Sequence, residues 1–437
     1  MAADAPRADA TPSDATHAGA TRSEATVSRS PVGWVLSNTH VSVTIDDDGL
    51  FTSVYDRQAD REVVPVGARA NLLTLHRDTP TQWDAWDIDT PHARLFETLT
   101  DAESVAKLDQ LPIGQAGVRV TRRFGTSSVT EDVTLVDESS TVDLAFSIDW
   151  HERQKLLRLN FPLDVKADRA ASEIQFGHIF RATHANTSWD AARFETVAHR
   201  WVHVGEPGFG VAVANDSTYG HAITRTVFPA GPTPTASVGQ GASTGQDPNA
   251  GPDTGVGHDA ISDRATSADR VLDAAPPAAA ARVGTTVALS LLRAAVFPDP
   301  TADQGKHEFR VALCVGASIP DAVDEGYRLN LPLRTLTGVG AKPIEPLFAV
   351  DNPAVVIEAV KLAEDGSGDV IVRLYEAHGT RARARVIRSF DAAEADESDL
   401  LERPVAPAAI VAADATELTL ELRPFQLVTL RFGRSSH

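Results

Sequence analysis

The stretch Val142 to Val165, VDLAFSIDWHERQKLLRLNFPLDV, decides how this chain folds. Val142, Leu144, Phe146, Ile148 and Trp150 alternate with Asp143, Ala145, Ser147 and Asp149, the period of two of a strand with one buried face. After His151-Glu152-Arg153-Gln154 the alternation resumes, with Leu157, Leu159, Phe161, Leu163 and Val165 on one side and Arg158, Asn160, Pro162 and Asp164 on the other. Two such strands joined by four residues predict a hairpin with one apolar face. Downstream, EIQFGHIF, THANTSWDAARFE and AHRW concentrate His, Trp, Asn, Asp and Arg, as a sandwich does where one edge is a working surface.

Working outward, Val41, Val43 and Ile45 alternate before the turn Asp46-Asp47-Asp48-Gly49, and Leu50 to Tyr55 return from it. Asn71 to Leu75 form a further strand, and Val118, Val120, Val133 and Leu135 continue the series. No stretch before residue 230 has a helical period of useful length, so the region reads as all-β. After it come strands at Val287 to Leu292 and Phe309 to Val315, then one short helix within ASIPDAVDEGYRLN. A second set follows at Val355 to Val360, Asp369 to Tyr375, Arg381 to Ile387, Leu418 to Leu422 and Phe425 to Phe432. The expected organisation is a disordered tail over residues 1–32, a large β-sandwich unit over 33–335 and a small β-sandwich over 344–433. Residues 230–276, rich in Gly, Ala, Asp and Pro, are expected to be a flexible insertion in the first.

The formal net charge of -20 argues against nucleic acid or an anionic membrane as partner, since both need a basic face. No run of about 18 apolar residues is present to span a membrane. The single cysteine, Cys314, excludes an intrachain disulfide and sits in the apolar run VALCV, where a packing role is expected. With no secretory signal, a reducing, cytoplasmic setting is expected. The acidic turn at Asp46 lacks the further oxygen ligands of a calcium loop. His178, His184, His199 and His203 read as core or edge histidines rather than a metal set. Arg381, Arg383 and Arg385 share one solvated strand face.

One loop is chemically loaded: in TQWDAWDID, Trp83, Asp84, Trp86, Asp87 and Asp89 crowd into seven positions. Carboxylates accept hydrogen bonds from sugar hydroxyls, and indoles cover the apolar face of a pyranose. The alternative is a loop whose Trp rings plug the sandwich edge while the Asp side chains are solvated.

The strings DGLFTSVYDR, TQWDAWDID, DAESV, VTRRFG, IDWHERQKLLRLNFPLDV, EIQFGHIFRATHANTSWDAARFE, AHRW, EPGFGVAVANDSTYGHAITR, LLRAAVFPDPTADQGKHEF and RPFQLVTLRF together resemble the carboxy-terminal half of glycoside hydrolase family 38, the α-mannosidases. The resemblance is narrower to the bacterial and cytosolic branch and runs in order from about Trp34 to Phe432. It implies a galactose-mutarotase-like super-sandwich followed by a small carboxy-terminal β-sandwich. In the family these pack against an amino-terminal barrel that holds zinc and the nucleophilic Asp. No string matches the family's His-x-Asp zinc pair or its nucleophile segment, so no catalytic residue and no metal ligand is assigned. Zinc is expected only in that missing domain, and no cofactor in this chain. The resemblance also implies that FPDPTADQGKHEF reaches toward substrate, offering Asp299, Asp303, Gln304 and His307 to sugar hydroxyls. Asn186, Trp189 and Asp190 of NTSWD are the secondary candidates, beside Trp83, Asp84 and Asp87.

The function expected is that of a non-catalytic carboxy-terminal half of an α-mannosidase, inactive alone. Its partners would be an α-mannoside and a separate chain carrying the catalytic barrel. The alternative is a stand-alone carbohydrate-binding sandwich. A third reading, a mutarotase- or lyase-like enzyme, requires a His and a carboxylate converging on a concave face.

Overall fold

The computed structural model describes residues 24–229, 281–335, 338, 345–414 and 416–434. The expected insertion over 230–276 and the first 23 residues of the expected tail lie outside the described residues. Strands from Thr26 to Val315 make three sheets of five, nine and six strands, and strands from Phe348 to Arg434 make two four-stranded sheets. Among the described residues every strand pairing in the nine- and six-stranded sheets is antiparallel, and one hydrophobic core lies between them.

The deciding stretch does not form a hairpin. Thr141–Trp150 pairs with Ser127–Val136 and Gly305–Val315 in the nine-stranded sheet. Lys155–Leu163 pairs with Leu72–Arg77 and Arg282–Arg293 in the six-stranded sheet. The two strands therefore face each other across the core. The reason lies in their apolar rows: Val142, Leu144, Phe146, Ile148 and Trp150, and Leu157, Leu159, Phe161 and Leu163, are all at most 2% exposed. Side by side, both rows would need a third layer to cover them; stacked, each covers the other, at roughly 1.5–3 kcal/mol per large side chain. The connecting residues bond outward instead of to each other. Gln154, at φ 52, donates its N–H to the Ala294 carbonyl at 2.7 Å and accepts from the Asp78 N–H at 2.9 Å. The Glu152 carboxylate accepts from Thr126 N and Ser127 Oγ, each at 3.0 Å.

The inner end of the expected tail is also corrected. Thr26–Ser30 is a strand paired with Gly33–Ser37, Thr26 opposite Ser37 and Ser30 opposite Gly33. An edge strand needs backbone pairing more than apolar side chains, so a polar composition conceals it. Gly33 holds φ 139 where a Cβ would fall 1.9 Å from the Ile45 carbonyl oxygen.

On the outer face of the nine-stranded sheet the side chains are small: Ala171, Ala212, Ala214, Ala312 and Cys314. That allows the helix Ile319–Asn330 to lie close. A capping box starts the helix, with Ser318 Oγ accepting from Asp321 N and Asp321 Oδ2 accepting from Ser318 N. Gly326 is needed against Trp201, where a Cβ would come within 2.7 Å of the indole. The helix also meets the small sandwich: the Tyr327 hydroxyl donates to Glu358 at 2.5 Å and lies 2.9 Å from the Tyr375 hydroxyl. Arg200 stacks 4.0 Å over the Tyr327 ring and is ion-paired to buried Glu173. Cys314 is packed here too, and burial pushes its thiol up to about 11. Among the described residues no helix is long and apolar enough to cross a membrane.

Candidate functional site

The outer face of the six-stranded sheet differs in kind. Across it the register aligns Thr74, Arg158, Ser290 and Gly220. Thr74 and Arg158 are each 5% exposed, so their polar atoms have to be matched locally. Arg158 is ion-paired to Glu195, whose other oxygen accepts from Ser290 Oγ at 2.7 Å. Beside them runs a directed chain. Asn160 Nδ2 donates to Thr74 Oγ1 at 2.8 Å, Thr74 Oγ1 lies 2.9 Å from His76 Nε2, and His76 Nδ1 lies 2.9 Å from the His92 carbonyl. A carbonyl only accepts, so Nδ1 carries the proton and Nε2 accepts from Thr74. That neutral tautomer agrees with burial holding His76 down to about 4. Arg158 Nε and His92 Nε2 are buried without a protein partner among the described residues.

Above this layer opens a cleft of about 430 Å³, lined by Ile88, Leu156, Glu195, Tyr219, Ser290, Arg293, Asp303, His307 and their neighbours. Asp303 and His307 thus line one cleft. His307 Nε2 donates to the Asp303 carbonyl at 2.9 Å, and its ring stacks on Phe309 with centroids 6.0 Å apart. Asp303 has φ 57, which turns the loop back ahead of Gly305. Gln304 faces inward, donating to the Glu152 carbonyl at 2.7 Å. Asp299 accepts from Thr301 N at 2.8 Å and Thr301 Oγ1 at 2.7 Å, bonds that hold its carboxyl below the usual range. It caps its own turn.

The Trp loop borders the same cleft through Ile88 and Arg293, and the organiser of that loop is a residue that the sequence reading passed over. Arg293 ends the strand Arg282–Arg293 and is ion-paired to Asp78, which is 2% exposed. It also donates to the carbonyls of Asp84 at 2.9 Å, of Ala85 at 3.3 Å and of Asp87. In return the Asp84 carboxylate accepts from Val296 N at 2.6 Å and Phe297 N at 3.0 Å, tying the two candidate loops together. Asp84 is therefore a latch between loops, while the Asp87 carboxylate accepts from its own neighbour, Ile88 N. Trp83 and Trp86 remain 65% and 67% exposed. Asp190 is occupied in the capping box of the short helix Ser188–Ala192, accepting from Thr187 Oγ1 at 2.8 Å, which holds its carboxyl low. Trp189 stands outward on that helix, five residues before Phe194, whose ring lies 5.6 Å from His92.

The zinc implied by the family resemblance finds no donor set here. His203 Nε2 is bonded to the Ala317 carbonyl at 2.8 Å, His178 packs against Trp201 and Phe425, and His199 lies against Tyr219. Among the described residues no group of three His, Cys, Asp or Glu side chains is placed to hold a metal ion.

A large β-sandwich joined to a small one, with its loops gathered over one sheet face, has solved counterparts among glycoside hydrolases. An α-mannosidase from Enterococcus faecalis V583 superimposes with a TM-score of 0.62 at 16% identity, over 91% of this chain and 42% of that one. The model for the glycosyl hydrolases family 38 C-terminal domain matches residues 36–228, and that for the family 38 C-terminal beta sandwich domain matches residues 354–430. This chain belongs to glycoside hydrolase family 38. Alpha-mannosidase 2C1 of Homo sapiens is 33% identical over 408 residues, covering 90% of this chain and 33% of its own length. Alpha-mannosidase G of Dictyostelium discoideum is 29% identical over 359 residues, 79% of this chain and 27% of its own. The chain spans about a third of the length of the curated relatives that it matches.

Proposed function

We propose that this chain is the carboxy-terminal, non-catalytic half of an α-mannosidase, which lends sugar-binding loops and structural support to a zinc-dependent catalytic domain. The observation that carries this reading is the convergence of Asp303, His307 and the Arg293-latched Trp loop on one cleft, in a chain of this family. Trp83, Trp86 and Phe297 are exposed on the two loops that Arg293 and Asp84 tie together, a set of rings fit to cover a pyranose or to meet a docked domain. The partner would be the barrel-bearing catalytic domain, and the sugar a terminal α-mannoside.

Hydrolysis with retention needs two carboxyl groups about 5 Å apart, one free to attack and one to donate a proton. Around this cleft Glu195 is held by Arg158 and Ser290, and Asp84 by two backbone amides. The same commitment of Glu195 weighs against a mutarotase-like role with His307 as its partner. The chain alone is therefore expected not to hydrolyse aryl α-mannosides, even with zinc or cobalt added. Metal-dependent turnover that survives removal of contaminating mannosidase would overturn this. The binding-module alternative predicts instead that mannose affinity is complete without any catalytic domain.

A further inference from the structure

The small sandwich carries a second concave patch, which shares no lining residue with the cleft of the large one. Its strands Ala382–Arg388 and Glu417–Leu422 pair with Ala382 opposite Leu422, Arg383 opposite Glu421, Ala384 opposite Leu420 and Arg385 opposite Thr419. Ala382, Ala384, Leu420 and Leu422 point into the core, so the alternate residues point out. On that outer face arginines are answered by carboxylates. Arg383 Nη1 lies 2.8 Å from Glu421 Oε1, and Arg385 Nε lies 2.8 Å from Asp351 Oδ2.

One step beyond the Ala382–Leu422 pair the pattern reverses. Arg381 and Arg423 each lie one residue beyond that last pair, just outside the strands, Arg423 Nε is 3.4 Å from Gln426 Oε1, and neither arginine forms an ion pair among the described residues. Like charges flanking the end of a strand pair repel. At that place the surface is concave, with a cavity of about 550 Å³ lined by Arg381, Arg383, Arg423, Gln426 and Val411. Gln426 Oε1 accepts from Arg423 N at 3.0 Å, which leaves the Gln426 amide nitrogen as a donor. In a chain of net charge -20, three guanidinium groups around one cavity with a single carboxylate are a local exception.

We propose that this cavity binds the oxyanion of a small phosphomonoester, with Arg381 and Arg423 on either side of the phosphoryl oxygens. Guanidinium forks match two oxygens at once, and an anion between them converts the repulsion into two attractions. The cavity is larger than a bare phosphate ion, and Val411 gives the organic body an apolar wall. The proposal does not rest on the reading of the cleft in the large sandwich.

The test is a titration of the whole chain at low salt with inorganic phosphate, a hexose phosphate and the neutral hexose, followed by arginine side-chain NMR and calorimetry. Phosphate and hexose phosphate are expected to move the Arg381 and Arg423 signals, and the neutral hexose to leave them still. Arg381→Gln and Arg423→Gln should each weaken hexose phosphate binding by on the order of tenfold. Without ligand, Arg423→Gln should melt no lower than the wild type, because repulsion is relieved. Absence of phosphate binding, unchanged affinity in the double variant, or a lower melting temperature for unliganded Arg423→Gln would each overturn the proposal.

Discussion

The outer faces of the two large sheets are built from opposite kinds of residue. On the nine-stranded sheet, Ala171, Ala212, Ala214 and Ala312 leave room for a helix and the Trp201 indole, and the surface is consumed by packing. On the six-stranded sheet, Thr74, His76, Arg158 and Ser290 place polar atoms under a cleft, most of them matched by a neighbour while Arg158 Nε is left without a protein partner among the described residues. A face meant for permanent cover is small and apolar. A face that keeps buried polar groups carries their desolvation cost, and does so beneath a cleft lined by Asp303 and His307.

If that contrast is right, truncation on the packed face should cost the most stability. Trp201→Ala removes an indole that is 1% exposed between sheet and helix, and should lower the free energy of unfolding by about 3–5 kcal/mol in urea titrations. A loss below about 1 kcal/mol would show that the helix is not held by this face.

A change on the cleft face should be smaller and more local. Asp78→Asn takes the charge from the partner of Arg293 and should cost about 2 kcal/mol. Its clearer signature is early proteolysis within residues 79–95, with the core strands still protected from hydrogen exchange. Cleavage no faster than in the wild type would mean that Arg293 does not latch the Trp loop.

The mildest effect concerns pH. His76 and His221 are each held down to about 4 by burial. Their contribution to stability is whole above 6.5, the unfolded value, and is lost as pH falls through 4, because the unfolded chain binds protons that the folded one does not. Glu131, pushed up to about 7 by burial, acts in the opposite sense, its contribution whole below 4.5 and lost as pH rises through 7. Glu131→Gln should therefore make stability fall more steeply on acidification from pH 7 to 4.5. Parallel curves for variant and wild type would contradict the opposing roles.

Much of this was legible in the residues, and the gaps have physical causes. Alternation marked the strands Thr141–Trp150 and Lys155–Leu163, but a period of two reports one buried face and not which sheet covers it. The turn HERQ became an arch because Gln154 and Glu152 bond to distant segments, which spacing does not reveal. The Trp and Asp loop and the Asp303-His307 loop stood out by composition and resemblance. Arg293 did not, since a lone arginine closing a strand looks like any edge residue until Asp78 and three carbonyls surround it. Asp84 and Asp190 stood out too, yet the structure gives their carboxylates to backbone amides and a helix cap.

The central claim is that the latched loops form a sugar site, and the most direct measurement is a mannose titration of the whole chain read from its tryptophan indole NMR signals. The account predicts shifts at Trp83 and Trp86 with millimolar affinity, worth about 4 kcal/mol, while fully buried Trp150 and Trp201 stay still. It also predicts that Asp303→Ala abolishes those shifts. Shifts that persist unchanged in Asp303→Ala, or none at saturating mannose, would contradict it.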